Sequence, residues 1–199
     1  MKTGLIILSS LLTIAAAIPY IIEVVQRKTK PRIVTWFVWS LLTGIACAAT
    51  LADGQTASGI LMFVATLSTG SIVLLGFRYG NRKVERFDAY CLAGAIVGLV
   101  LWQLFDSPEI AVLATVTVDI IGALPTLKHS WQKPHEETAI TFLLSGLGGL
   151  ATVLALETWT ITSAVYPIYI FLMSTLLGVV VLRSPHRKLP GEAADLREL

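Results

Sequence analysis

Apolar residues along this chain come in long unbroken runs, each closed by a short polar or charged cluster. The runs fall at Gly4–Val25, Ile33–Ala52, Ala57–Phe77, Ala89–Phe105, Ile110–Leu127, Thr138–Leu156 and Ile161–Leu182. None alternates with a period of two, so the pattern is not that of membrane barrel strands. Each run is close to the roughly 20 residues that cross hydrocarbon as a helix, the one open structure that satisfies its own backbone there. The pattern predicts an all-α membrane protein of seven transmembrane helices, a single domain over 1–182 with a polar tail over 183–199. Lys2 and Ala15-Ala16-Ala17 imitate a signal peptide with its cleavage site. The first run nevertheless belongs to the fold, because the same segment recurs later in the chain.

Composition agrees with the pattern. Apolar residues make up 55% of the 199 and charged residues only 14%, with a mean hydropathy of +0.75. Soluble domains carry about a quarter charged residues, so disorder is excluded and an ordinary soluble enzyme is not expected. Charge matters by placement. Of the 15 Lys and Arg residues, Lys2 precedes the first run. The others fall in alternate connections: Arg27, Lys28, Lys30 and Arg32; Arg78, Arg82, Lys83 and Arg86; Lys128 and Lys133; then Arg183, Arg187, Lys188 and Arg197. The remaining connections carry Asp53, Asp106, Glu109 and Glu157. Positive loops stay in the cytoplasm, which predicts an outside N-terminus and a cytoplasmic C-terminus. The basic clusters read as orientation signals that touch anionic lipid, and not as a nucleic-acid surface.

Shifting the chain by 106 residues lays its end over its beginning without a gap. Pro19 then meets Pro125, Gln26 meets Gln132, Arg27 meets Lys133, and Thr35-Trp36 meets Thr141-Phe142. Leu41 pairs with Leu147, Thr56 with Thr162, Ser68-Thr69 with Ser174-Thr175, and Val73 with Val179. The first three runs (4–77) are thus repeated by the last three (110–182), and the fourth (89–105) is a spacer. An odd spacer gives two triplets of the same orientation, a 3+1+3 parallel repeat about an axis along the membrane normal, a known transporter construction.

On this repeat, and on a proline late in the first and fifth runs, the chain resembles the SWEET and PQ-loop superfamily of small seven-helix membrane transporters. The stretch Lys30-Pro31, Thr35-Trp36 and Trp39 is similar to bacterial members of that group. The resemblance implies a bacterial inner-membrane carrier whose third and seventh helices line a central cavity. It also implies a fifth-helix acid concerned with proton coupling. The Pro-Gln pair of the family is replaced here by Pro19-Tyr20 and Pro125-Thr126, and the second and sixth runs lack the prolines of sugar carriers. Sugar is therefore not carried over as the cargo.

Asp119 is the sharpest chemical signal. It is the tenth of eighteen residues in its run, where a charge costs roughly 2.5–3.5 kcal/mol even on the lenient insertion scale. Thr115, Gly122, Ala123 and Thr126 share its helical face. Its repeat mate is Thr13, so the acid exists in one half only. It is the candidate coupling residue; the plainer alternative is a neutral carboxyl bonded to a neighbouring helix. Candidate substrate contacts are Thr115, Ser68, Thr69, Ser174, Thr175, Tyr166, Tyr169 and Trp36. The Ser and Thr hydroxyls have as alternative their own helix carbonyls. Pro19 and Pro125 each free a carbonyl one turn earlier and are candidate hinges or static bends. Trp39, Trp102, Trp131 and Trp159 read as interfacial anchors. Gly94 with Gly98, and Ser145 with Gly146, Gly148 and Gly149, read as close-packing faces within the monomer or a homodimer.

Several functions are excluded. The seventh run has no Lys for a retinal Schiff base, and His129, His135 and His186 all lie outside the runs. Cys47 and Cys91 have no metal or disulfide spacing. No hydrolase, zinc-protease or phosphate-loop motif is present, so no enzyme activity, cofactor or metal is expected. The expected function is carriage of a small polar solute by alternating access, coupled through Asp119. The alternatives are a ligand-binding receptor on the same architecture, as in the KDEL receptor, and a partner-binding membrane protein.

Overall fold

A computed structural model describes residues 2–52, 56–80, 84–102 and 108–183, with side chains throughout except at 49–52, 56–62, 101, 102 and 108. Asp53, Arg82, Lys83, Asp106, His186, Arg187, Lys188 and Arg197 lie outside the described residues, as does the rest of the tail beyond Arg183. Among the described residues the regular structure is helical. The helices are α1 (Lys2–Val25), α2 (Ile33–Ala52), α3 (Thr56–Tyr79), α4 (Arg86–Trp102), α5 (Pro108–Gln132), α6 (Ala139–Ala155) and α7 (Ile161–Leu182), with one 3-10 turn at Pro134–Glu136. Three of them, α1, α5 and α7, are long and apolar enough to cross a membrane, and they mark the chain as a membrane protein.

Helix boundaries differ from the apolar runs where polar residues extend a helix past its greasy part. α5 runs on from Leu127 to Gln132, so Lys128 and His129 ride on its last turns. α4 begins at Arg86, with Asp88 in its first turn. α1, α5 and α7 each continue through an internal proline, Pro19, Pro125 and Pro167 respectively.

Packing follows the small residues. α6 fits between α1 and α7. A Cβ on Gly148 would come within 3.1 Å of Thr13 Oγ1, and one on Gly149 within 2.7 Å of the Phe171 backbone nitrogen. α4 lies on α5, where a Cβ on Gly98 would meet Val118 Cγ2 at 2.6 Å. α5 lies on α2, where one on Gly122 would meet Val38 at the same distance. The remaining pairings are α2 with α3, α1 with α3, α5 with α7 and α2 with α4. Outward faces are apolar: Ile6, Ile7, Leu11, Leu74, Val100 and Leu154 are all exposed. Polar Thr35, Asp88, Asp119, Thr126, Ser130 and Glu137 are buried instead. Such an inverted distribution suits a lipid solvent.

The basic connections gather at one end of the bundle. Lys30 pairs with Glu136, and the buried Arg32 pairs with Asp88. Lys128 reaches Glu85 at 2.8 Å, and Arg183 lies 3.7 Å over the ring of Trp131. At the other end, Lys2 Nζ donates to the carbonyl of Leu156 at 3.3 Å.

Candidate functional site

Asp119 is 3% exposed and is approached from two other helices. From α2, Trp39 Nε1 donates to Oδ1 at 2.5 Å. From α7, Tyr166 OH donates to Oδ2 at 3.3 Å, and Tyr169 also bonds the carboxyl. The tyrosine rings are 6.1 Å apart at 46°, one helical turn apart on either side of Pro167. A carboxyl in an apolar bundle needs such partners, because an unpaired one carries its full desolvation cost. Trp39 is held in turn by its neighbours: Gly122 lets α5 approach α2 closely, so a residue 80 positions away in sequence reaches the acid.

Trp39 also begins an aromatic ladder toward the basic end. Its ring meets Trp36 at 5.0 Å and 85°. Trp36 packs on Tyr20 at 4.5 Å and donates Nε1–H to Tyr20 OH at 3.0 Å. Phe142 closes the layer at 6.3 Å from Tyr20, edge to face. Trp36 and Phe142 are 106 residues apart in sequence, and Tyr20 packs against both. Tyr20 then donates its own hydroxyl proton to Glu137 Oε2 at 2.9 Å.

Beneath this layer the two basic-end loops are joined. Arg27 takes a left-handed backbone (φ 58°), which turns the chain after α1. Lys30 N then donates to the carbonyl of Glu136 at 2.8 Å, and its ammonium pairs with that residue's carboxylate. Positions 30 and 136 are themselves 106 apart, the spacing that the sequence register expects of paired positions. The Thr29 and Thr138 hydroxyls lie 2.7 Å apart, and each is within hydrogen-bond distance of Glu23 Oε2, at 2.9 and 2.8 Å. His129 Nε2 lies 3.2 Å from Glu136 Oε2, near but not aligned as a hydrogen bond. Burial works against the charge on Glu136, yet Lys30 and Lys133 outweigh it and hold the carboxyl below the usual range.

The other expected site residues lie apart from this group or are satisfied locally. Thr115 donates to Ala111 O at 2.8 Å, and exposed Ser68 to Val64 O at 3.0 Å. Thr69 donates to Ala65 O at 3.0 Å and sits 3.4 Å from Thr43 Oγ1. Thr175 faces the glycine notch at Gly146, and Ser174 is half-buried on α7. Pro125 is fully buried. A hollow of about 430 Å³ opens between α4, α5 and α7 near the basic end; its lining of Phe87, Leu124, Leu127, Trp131 and Leu176 is apolar and does not include Asp119. Among the described residues no cluster of His, Cys, Asp and Glu has the makings of a metal site.

Sequence reasoning missed Trp39, Tyr20 and Glu137 as members of one connected set. Tyr20 had a signal, since it follows Pro19 where the resemblance read from the sequence expects a glutamine. Trp39 and Glu137 had none beyond residue type. Comparison with protein-family models, curated proteins and solved structures returned no match.

Proposed function

We propose that this chain is a carrier of a small polar solute, seated in the cell membrane with seven spans, its N-terminus outside and its basic end in the cytoplasm. The observation that carries the reading is Asp119: one buried mid-helix acid whose donors come from α2 in the first triplet and α7 in the second. A site shared between two triplets is remade whenever they move relative to each other, as alternating access requires.

Other features support the same reading. Exchanging α1 with α5, α2 with α6 and α3 with α7 turns the α1–α6 pairing into α5–α2, and the α1–α3 pairing into α5–α7. That is the behaviour expected of a parallel repeat with α4 as spacer, and of the SWEET and PQ-loop resemblance. The aromatic layer and the joined loops block the route from Asp119 to the basic end, so this arrangement reads as the state closed to the cytoplasm. Asp119 is then the coupling residue, with Tyr166 and Tyr169 on the side from which solute enters. Pro19 and Pro125 are the hinges of the two triplets.

The test is a thermal-shift panel on purified full-length protein, at two pH values, with Asp119→Asn beside the parent. Sugars, amino acids, vitamins and small cations are the probes. A ligand at 100 times its Kd adds about 2.7 kcal/mol, which a melting curve resolves. The carrier reading expects a pH-dependent hit that the variant loses, followed by accumulation of that solute in vesicles containing only this protein. Binding without accumulation would replace the carrier with a receptor. Unchanged binding and unchanged pH dependence in Asp119→Asn would remove the coupling role.

A further inference from the structure

Glu137 is a carboxylic acid that the carrier reading leaves unused. It is 4% exposed at the junction of the 3-10 turn and α6, on the basic-end side of the aromatic layer. Tyr20 occupies one of its oxygens, and Oε1 has no hydrogen-bond partner. Among the described residues, the cations near Glu137 are already committed. Arg32 faces Glu137 but pairs with Asp88, while Lys30 and Lys133 are drawn to Glu136. From α1 the facing groups are Tyr20 and Glu23, the second already bonded by Thr29 and Thr138. From α5 it is His129, turned to Glu136. The half of α7 nearest the basic end contains no titratable side chain before Arg183. A buried carboxylate with a single neutral donor and no cation of its own is costly, whereas the neutral acid fits. Burial pushes the Glu137 carboxyl up to about 8, against the lowering effect of the Tyr20 hydrogen bond and of Arg32.

We propose that Glu137 is a second proton-binding site, which keeps the basic end of the bundle shut while protonated and lets it open when charged. The proton resides on Oε1, and Oε2 keeps the hydrogen bond from Tyr20, the residue that Trp36 and Phe142 grip between them. Loss of the proton leaves an uncompensated charge at the contact between the two triplets, and hydration by parting them relieves it. The sign follows from linkage. The closed form binds the proton more tightly than an open, hydrated form whose carboxyl is near its ordinary value of 4.5. Closure is therefore favoured in full below about pH 4.5, and that advantage is lost as pH rises through about 8. The gating role rests on the carrier reading, but the proton site stands without it.

Two readouts on the full-length chain in lipid test the proposal. In pH-difference infrared spectra, a protonated-carboxyl band should disappear with a midpoint near 8 in the parent. It should persist as a feature of Asp119→Asn and be missing from Glu137→Gln. The second readout replaces Cys47 and Cys91 with Ala and adds Thr35→Cys, a fully buried position beside Trp36. Labelling by a membrane-impermeant maleimide is measured from the basic side, relative to an exposed Gln26→Cys reference that absorbs the reagent's own pH dependence. Normalised labelling should rise by at least about tenfold between pH 6 and 9, one pKa unit being tenfold, and stay at its low value when Glu137→Gln is added. An unchanged infrared band in Glu137→Gln overturns the proton site. Labelling that ignores pH in the parent overturns its gating role. Loss of solute uptake in every variant and at every pH would count against the carrier alone, because the infrared band does not depend on transport.

Discussion

Asp119 was legible as a candidate residue because a carboxyl halfway along an apolar run has a cost that a fold does not bear without reason. Its partners were less legible. Tyr166 and Tyr169 were expected near a site, but Trp39 read as an interfacial anchor, the ordinary role of a membrane tryptophan. Only the crossing of α2 over α5 gives its indole N–H to the acid. Distances rank these donors, with Trp39 at 2.5 Å and Tyr166 at 3.3 Å. Trp39→Phe keeps a ring against Trp36 and removes the shorter bond. It should cost about 1–2 kcal/mol in thermal unfolding, and Tyr166→Phe should cost less. The reverse order would mean that Trp39 serves chiefly as a packing group. Glu137 taught the opposite lesson: a glutamate in a charged loop gives no hint of burial until Tyr20 and Arg32 are seen facing it.

Helix boundaries were read well wherever hydrophobicity ends the helix, as at Ile33–Ala52 and Ile161–Leu182, which match α2 and α7. They were missed by up to five residues at the end of α5. There the backbone carries on as helix through Lys128 to Gln132 because tertiary contacts, including Lys128 with Glu85, cover the polar turns. The glycine-rich faces acquire direction only in the structure, with Gly148 turned to α1 and Gly149 to α7. That difference is testable. Gly149→Ala places a methyl against the Phe171 backbone, which cannot rotate away as a side chain can, and should destabilise by about 1–3 kcal/mol. Gly4→Ala meets nothing within 4 Å and should be neutral or stabilise by up to about 1 kcal/mol through helix propensity. Equal melting temperatures for the two variants would show that α6 and α7 are not packed this closely.

The distribution of Lys and Arg predicts which end of the molecule faces the cytoplasm, and the structure brings those residues together at one end through Lys30 with Glu136, Arg32 with Asp88 and Lys128 with Glu85. A fluorescent reporter that folds only in the cytoplasm should be bright when fused after the C-terminus and dark at the N-terminus. Bright fusions at both ends would require an even number of spans, and a bright N-terminus with a dark C-terminus would invert the orientation. Lys30 and Glu136, 106 residues apart, are in contact, which supports the proposed parallel repeat. Two residues related by a two-fold operation meet only beside its axis, so the joined loops lie where that axis would pass.

Local rules acting within one segment were enough to determine the helical class, the number and approximate limits of the apolar helices, and the one mid-helix acid, since hydrophobic run length and charge placement need no knowledge of neighbours. The rest was decided by tertiary structure. Trp39 with Asp119, Tyr20 with Glu137 and Lys30 with Glu136 are pairs 80, 117 and 106 residues apart, joined by helix crossings that no local pattern encodes. Burial then separates residues of identical type. Glu85, half-exposed beside Lys128, has its carboxyl held below the usual range, while Glu137, enclosed under the aromatic layer with no ion-pair partner among the described residues, is pushed up to about 8.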